Sequence, residues 1–286
     1  VTPTPSNSQP LPEQTLGPKL IFAGPSERGW HRVASLLRCP RLARLEEKGA
    51  LPPAESVYLV RGSLLHVGLA HHYQQLKERL TGGDPAQWFD PEAAVHALAE
   101  QEGAQWLPEI DLVNEALRKY LTHWSQEGWK PLEVEFELRA QLPHPTKSGE
   151  RFLFTQRADL IVEGEEKKVW IVDHKTASRI NHSSLDQYVL SGQMVGYHHF
   201  GRALYGDRFG GVLLNRIKIY DPQEFDRRPV PTAPWATANF VKTLQWAEYV
   251  DTMMPSDPDL VPMATNASAC YGRYGKCAAF DLCRFG

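Results

Sequence analysis

The tightest restriction on the fold comes from Val169-Trp170-Ile171-Val172, which runs directly into Asp173-His174-Lys175. Four consecutive apolar residues rich in β-branched and aromatic types read as a strand buried on both faces. The charges that follow therefore emerge from a core and not from an exposed edge. Upstream, Phe152 to Val162 has the same character, and the polar turn Glu163-Gly164-Glu165-Glu166 before Lys168 to Lys175 predicts a β-hairpin. Alternate residues of a strand share a face, so Asp173 and Lys175 project together while His174 points the other way. Asp159, in the first strand of the hairpin, can join them.

Two carboxylates suit a hard divalent cation such as Mg²⁺, which takes oxygen ligands and keeps several waters. An ammonium beside such a cation can orient an attacking water, the arrangement needed for in-line hydrolysis of a phosphodiester. An Asp-x-Lys at a strand end is by itself usually a solvated ion pair. Its place after a buried apolar run is what favours a site.

With 286 residues and 42% hydrophobic content, the chain can bury a sizeable core. A net charge of −3 excludes a molecule that binds nucleic acid by its overall charge. Any such contact must come from a local groove or a cation-neutralised site. No apolar run approaches the roughly 20 residues that span a bilayer, and no signal segment opens the chain. The expectation is a cytoplasmic protein without a membrane partner.

Residues 1–18 are Pro-rich and read as a flexible arm. Residues 19–286 read as a single domain. Ser26 to Lys48 has helical periodicity interrupted at Pro40, directly after Cys39; a longer helix follows Arg61-Gly62 and carries His66. Residues 91 to 126 read as helices divided at Pro108. Leu132 to Leu142 alternates as a half-buried strand, with Glu133, Glu135 and Glu137 on its polar face. Ser184 to Leu204 reads as a helix on which Gln193 and Tyr197, four apart, share a face. Gly210 to Tyr220 predicts another strand, and Asp221 to Trp235 an irregular loop whose Arg227 and Arg228 could touch a nucleic-acid backbone but read more simply as surface residues. Ala236 to Met254 predicts a last helix.

Asp159, then Asp173-His174-Lys175-Thr176, then Gln193-Met194-Val195-Gly196-Tyr197 resembles the PD-(D/E)XK nuclease superfamily. Within it the chain is similar to RecB-like exonucleases, including CRISPR-associated and phage members, in which G-x-x-D, D-x-K-T and Q-x-x-x-Y follow in this order. Gln156 stands where the family usually has glycine. Gly62 to His66 matches the family's G-x-x-x-H, and Glu133 best matches its further glutamate. The resemblance implies an α/β, restriction-endonuclease-like core: a central mixed sheet flanked by helices, with a helical part over about 62–126, a catalytic core over about 130–220 and a C-terminal cysteine cluster. It also implies Mg²⁺ or Mn²⁺ held by His66, Asp159, Asp173 and the carbonyl of His174. Lys175 would position the attacking water, and Gln193 and Tyr197 would contact substrate or a nearby water.

The four cysteines are Cys39, Cys270, Cys277 and Cys283. An intracellular chain does not easily keep disulfides, and zinc sites usually pair cysteines two to four residues apart, closer than here. Four thiolates also suit an iron-sulfur cluster. The one-plus-three distribution resembles the 4Fe-4S staple of RecB-like nucleases, in which an N-terminal cysteine joins three C-terminal ones.

The expectation is therefore a metal-dependent DNA exonuclease acting on single strands or DNA ends. Its setting would be CRISPR adaptation, phage DNA processing or recombinational repair, with protein partners in a processing complex. Two other readings stay open: a catalytically weak DNA-end binding subunit, against which the intact Asp159, Asp173 and Lys175 argue, and a zinc-stabilised interaction protein.

Overall fold

The computed structural model describes residues 18–21, 24, 26–51, 56–181, 185–264, 267–272 and 275–285. The Pro-rich arm, apart from Pro18, lies outside them. Helices α1 (Trp30–Arg38) and α2 (Pro40–Glu47) meet at Cys39, because Pro40 has no N–H to continue α1 but suits the first position of α2. Helix α3 (Val57–Thr81) ends at Gly82, whose φ of 80° is the left-handed conformation glycine adopts without strain. Helix α4 (Pro91–Glu102) is capped by Asp90, which accepts from the Glu92 N–H at 3.0 Å. Pro108 falls in a 3₁₀ turn between α4 and α5 (Ile110–His123).

The sheet follows. Its strands are β1 (Lys130–Pro143), β2 (Arg151–Glu163), β3 (Val169–Ala177), β4 (Phe209–Lys218) and β5 (Glu224–Val230), in the order β1-β2-β3-β4-β5. All neighbours are antiparallel except β3 and β4, which are parallel. A parallel pair needs a crossover, and residues 178–208 supply it with α6 (Asp186–Val189) and α7 (Gly192–Tyr205). The single helix expected over 184–204 is thus two pieces, parted at Leu190-Ser191. The segment expected to be an irregular loop contains β5; its Pro229 is tolerated because β5 is an edge strand.

The sheet is covered on both faces. On one, Leu65, Leu69 and Tyr73 of α3 pack with α4, α5, Leu160 and Val172; on the other, Met194 and Tyr197 of α7 pack against Ile161, Ile171, Val212 and Leu214. Helix α8 (Pro234–Met253) lies beside α7, its Phe240 and Leu244 buried against Phe154 and Val195. The C-terminal segment adds α9 (Ala267–Cys270), a small hairpin of β6 (Tyr271–Gly272) and β7 (Gly275–Lys276), and α10 (Phe280–Phe285).

Pairing between β2 and β3 runs from Glu163/Val169 to Leu160/Val172 and ends there. The next residue on each strand toward the open end is Asp159 and Asp173. The two strands part where the carboxylates begin.

Helix α7 approaches the sheet closely at Gly201, where a Cβ would lie 2.3 Å from the Phe209 ring. Gly201→Val is expected to lower stability by about 1–3 kcal/mol through overpacking, read as a shifted urea midpoint at unchanged slope.

Candidate active site

Asp159 and Lys175 line a cleft of about 460 Å³ together with His66, Glu135 and Gln193, and Asp173 lies buried beneath it, paired with Lys175. Because β2 and β3 have separated, the His174 N–H is free of the ladder and donates to Asp159 Oδ2 at 2.7 Å. His66, projecting from α3, places Nδ1 3.7 Å from the same oxygen. Glu135 completes the group: ligand atoms of His66, Glu135 and Asp159 all lie within 4.8 Å of one another.

Glu135, not Glu133, is therefore the glutamate of the site. Glu133 pairs with Lys77 at 2.8 Å and stays outside. The strict alternation expected along β1 fails at Glu135, whose φ is 50°. Val134 packs with the α3–α5 core whereas Phe136 packs with the α7 core, so the strand changes face at this residue. The pairs Val134/Leu160 and Phe136/Ala158 flank it and bring Glu135 opposite Asp159. A glutamate with positive φ is strained, and that irregularity was the one signal absent from the periodicity.

Asp173 has no exposure and is gripped from two sides. Lys175 Nζ reaches its Oδ2 at 2.6 Å, and Gln193 Nε2 donates to its Oδ1 at 3.0 Å. The Tyr197 hydroxyl lies 3.3 Å from that Oδ1 and donates to the Arg157 carbonyl. Tyr197 is itself fully buried, and its hydroxyl is directed at Asp173 and the Arg157 carbonyl. Gln156 replaces the expected glycine without blocking the cleft: its amide donates to the Gln193 carbonyl at 2.6 Å, tying β2 to α7.

Charge crowding leaves its mark on these groups. Burial, with the neighbouring Asp159 charge, pushes the Glu135 carboxyl up to about 8. Burial likewise raises Asp173 against the pull of Lys175. For Asp159 burial is outweighed by His66, Lys175 and the His174 N–H, so it sits below the usual carboxylate range. Lys175 is raised because Asp173 and Asp159 overcome its burial. Burial pushes the His174 imidazole down to about 3, so the ring is neutral. Two carboxylates and one imidazole converging on a point, one of the carboxylates made reluctant to ionise, are a donor set suited to a divalent cation.

The cysteines also converge. Cys39 is buried with Leu42, Leu45 and Ala279, and Cys277 and Cys283 pack on the same cluster. The Cys277 N–H donates to the Cys270 carbonyl at 2.7 Å, and the Ala264 N–H points at Cys39 Sγ at 3.4 Å. Burial raises the Cys283 thiol, with Cys39, Cys277 and Cys270 all close enough to add to the effect.

The family model of the PD-(D/E)XK nuclease superfamily matches residues 30–284, and the chain belongs to that superfamily. No curated protein sequence matches it. Among solved structures it is similar to a candidate exonuclease from Eubacterium rectale, at 11% identity and a TM-score of 0.50, covering 90% of this chain and 86% of that one. That likeness is one of fold. A second structure, SSO0001, has 17% identity and a TM-score of 0.31 over 76% of this chain and 86% of that one.

If Glu135 is a ligand, cation binding must displace the proton it carries below about pH 8. Mn²⁺ affinity is expected to rise with pH by up to about tenfold per unit until that point and then level off. Calorimetry in buffers of different ionisation heat reads the proton release. Glu135→Gln should abolish the release and weaken binding, whereas Glu133→Gln should leave both unchanged.

Proposed function

We propose that this chain is a metal-dependent DNA exonuclease, with Mg²⁺ or Mn²⁺ held by His66, Glu135 and Asp159 and with Asp173 beside them. The observation that carries the reading is the meeting of that donor set with Lys175, held by the buried Asp173, in one cleft of a PD-(D/E)XK fold. When bound, the cation supplies Lewis acidity and offsets the charge of the scissile phosphate. The carbonyl of His174 is a further candidate donor.

Lys175 stays protonated near neutral pH, since its neighbouring carboxylates hold it above its ordinary value. It donates hydrogen bonds to an attacking water and to the negative charge that develops on the phosphate, and does not abstract a proton. Asp173 fixes the ammonium, and Gln193 and Tyr197 fix Asp173. Tyr58, 64% exposed on the cleft wall, offers a face on which an unpaired base can stack. That feature favours single strands or frayed ends as substrate. The name of the Eubacterium rectale protein supports the exonuclease reading.

The cysteine cluster is read as a 4Fe-4S site. Cys39, Cys277 and Cys283 pack in one cluster with Cys270 close to Cys283, and an N–H is directed at Cys39 Sγ, a kind of contact that also tunes cluster sulfurs. Such a cluster would staple the start of the domain to its end. CRISPR adaptation, phage DNA processing and recombinational repair are the settings this chemistry suits, with protein partners in a processing complex.

Anaerobically purified protein with Mg²⁺ or Mn²⁺ should degrade end-labelled single-stranded DNA, and Lys175→Ala should lower the rate by about two to four orders of magnitude. A folded, cluster-bearing protein that binds DNA ends without cutting them would instead identify a binding subunit. Cys283→Ala should lose iron and visible colour and lower the melting temperature; zinc without iron in the parent protein would overturn the cluster assignment.

A further inference from the structure

The catalytic reading leaves unused a buried polar chain on the opposite face of β3. His174 and Asn215 are partners in the parallel ladder of β3 and β4, and both are buried. The Asn215 amide nitrogen contacts His174 Nδ1 at 2.7 Å and donates to the Tyr120 hydroxyl at 2.9 Å. The amide oxygen accepts from Arg227 Nε at 3.2 Å, which orients the amide so that its nitrogen faces the imidazole. His174 Nδ1 is then the acceptor, and the neutral ring carries its proton on Nε2.

Arg227 anchors the chain and is far from the exposed loop residue expected of it. Its side chain is 8% exposed, paired with Glu127, and sandwiched 3.7 Å from the Trp124 ring centre and 3.9 Å from that of Trp129. It also donates to the hydroxyls of Tyr120 at 2.6 Å and Tyr73 at 3.1 Å.

At its other end the chain meets two of the residues placed around the cation. The His174 main-chain N–H holds Asp159 Oδ2, and the His174 ring, stacked on Tyr73 at 5.9 Å and 12°, stands edge-on to His66 with centroids 5.9 Å apart. We infer that Asn215, anchored by Arg227, is a positioning residue for the metal site: by holding the His174 ring it fixes the strand segment that orients Asp159 and the surface against which His66 packs. This rests on the assignment of His66 and Asp159 as ligands. Outer partners that orient ligands in this way typically contribute 10–100-fold to metal affinity.

Asn215→Leu, close in size but without donors, tests this by Mn²⁺ calorimetry, which reads binding whether or not DNA is cut. The expected result is a dissociation constant about 10–100-fold higher, with cleavage at saturating Mn²⁺ within about threefold of the parent. Gly201→Val, destabilised elsewhere, should keep the parent affinity, which separates positioning from a general loss of stability. Should Asn215→Leu fail to fold, His174→Phe keeps a ring between Tyr73 and His66 but removes the acceptor, and must weaken Mn²⁺ binding in the same direction. Parent-like affinity in either folded variant overturns the inference. A parent that binds Mn²⁺ but cuts no DNA would sink the exonuclease reading alone; a parent that binds no Mn²⁺ would sink both.

Discussion

The parting of β2 from β3 beyond Leu160 and Val172 is the constraint on which the site depends. Within a continuous ladder the main-chain N–H of His174 would be spent on its neighbour. Released from it, that N–H holds Asp159, and the gap between the strands becomes a cleft floored by carboxylates. Glu135 answers the same geometry from β1, where a residue with positive φ turns the strand over and brings its carboxylate opposite Asp159.

Bringing several charges into a poorly solvated space is costly, and the surroundings are built to contain that cost. Asp173 is neutralised by Lys175 and held by Gln193, while Asp159 has the N–H of His174 and the ring of His66 beside it. Glu135 lacks an equivalent cationic partner at hydrogen-bonding distance among the described contacts, and burial with the neighbouring Asp159 charge pushes its carboxyl up to about 8. A divalent cation would relieve that imbalance. The apolar covering of both sheet faces keeps the arrangement rigid, since α3 and α7 each contribute site residues from helices whose other sides are core.

The two ends of the described chain are drawn together by polar ties as well as by cysteines. Arg44 of α2 is buried and reaches Asp251 of α8 at 2.6 Å and the Pro255 carbonyl at 3.0 Å. Arg38 donates to the Ala269 carbonyl at 2.9 Å, one residue before Cys270. Cys39 is carried between these arginines, so its approach to the C-terminal cysteines is set by the protein's own contacts.

Much of this was open to reading along the chain. The apolar run into Asp173 and Lys175, the hairpin with Asp159 in its first strand, and the four-residue spacing of Gln193 and Tyr197 are local patterns, and local patterns follow from backbone periodicity and chain chemistry. Pro40 and Pro108 marked helix breaks for the same reason. Three matters were decided by packing at long range. Glu135 displaced Glu133 because one residue left the β conformation. Arg227 became an anchor because a segment dense in turn-forming residues paired as an edge strand and carried it between Trp124 and Trp129. Tyr197 faces Asp173 because α7 lies close against the sheet. Asn215 interrupts the apolar run of β4, yet its partner His174 is adjacent only in the parallel ladder, a relation that no spacing along the sequence records.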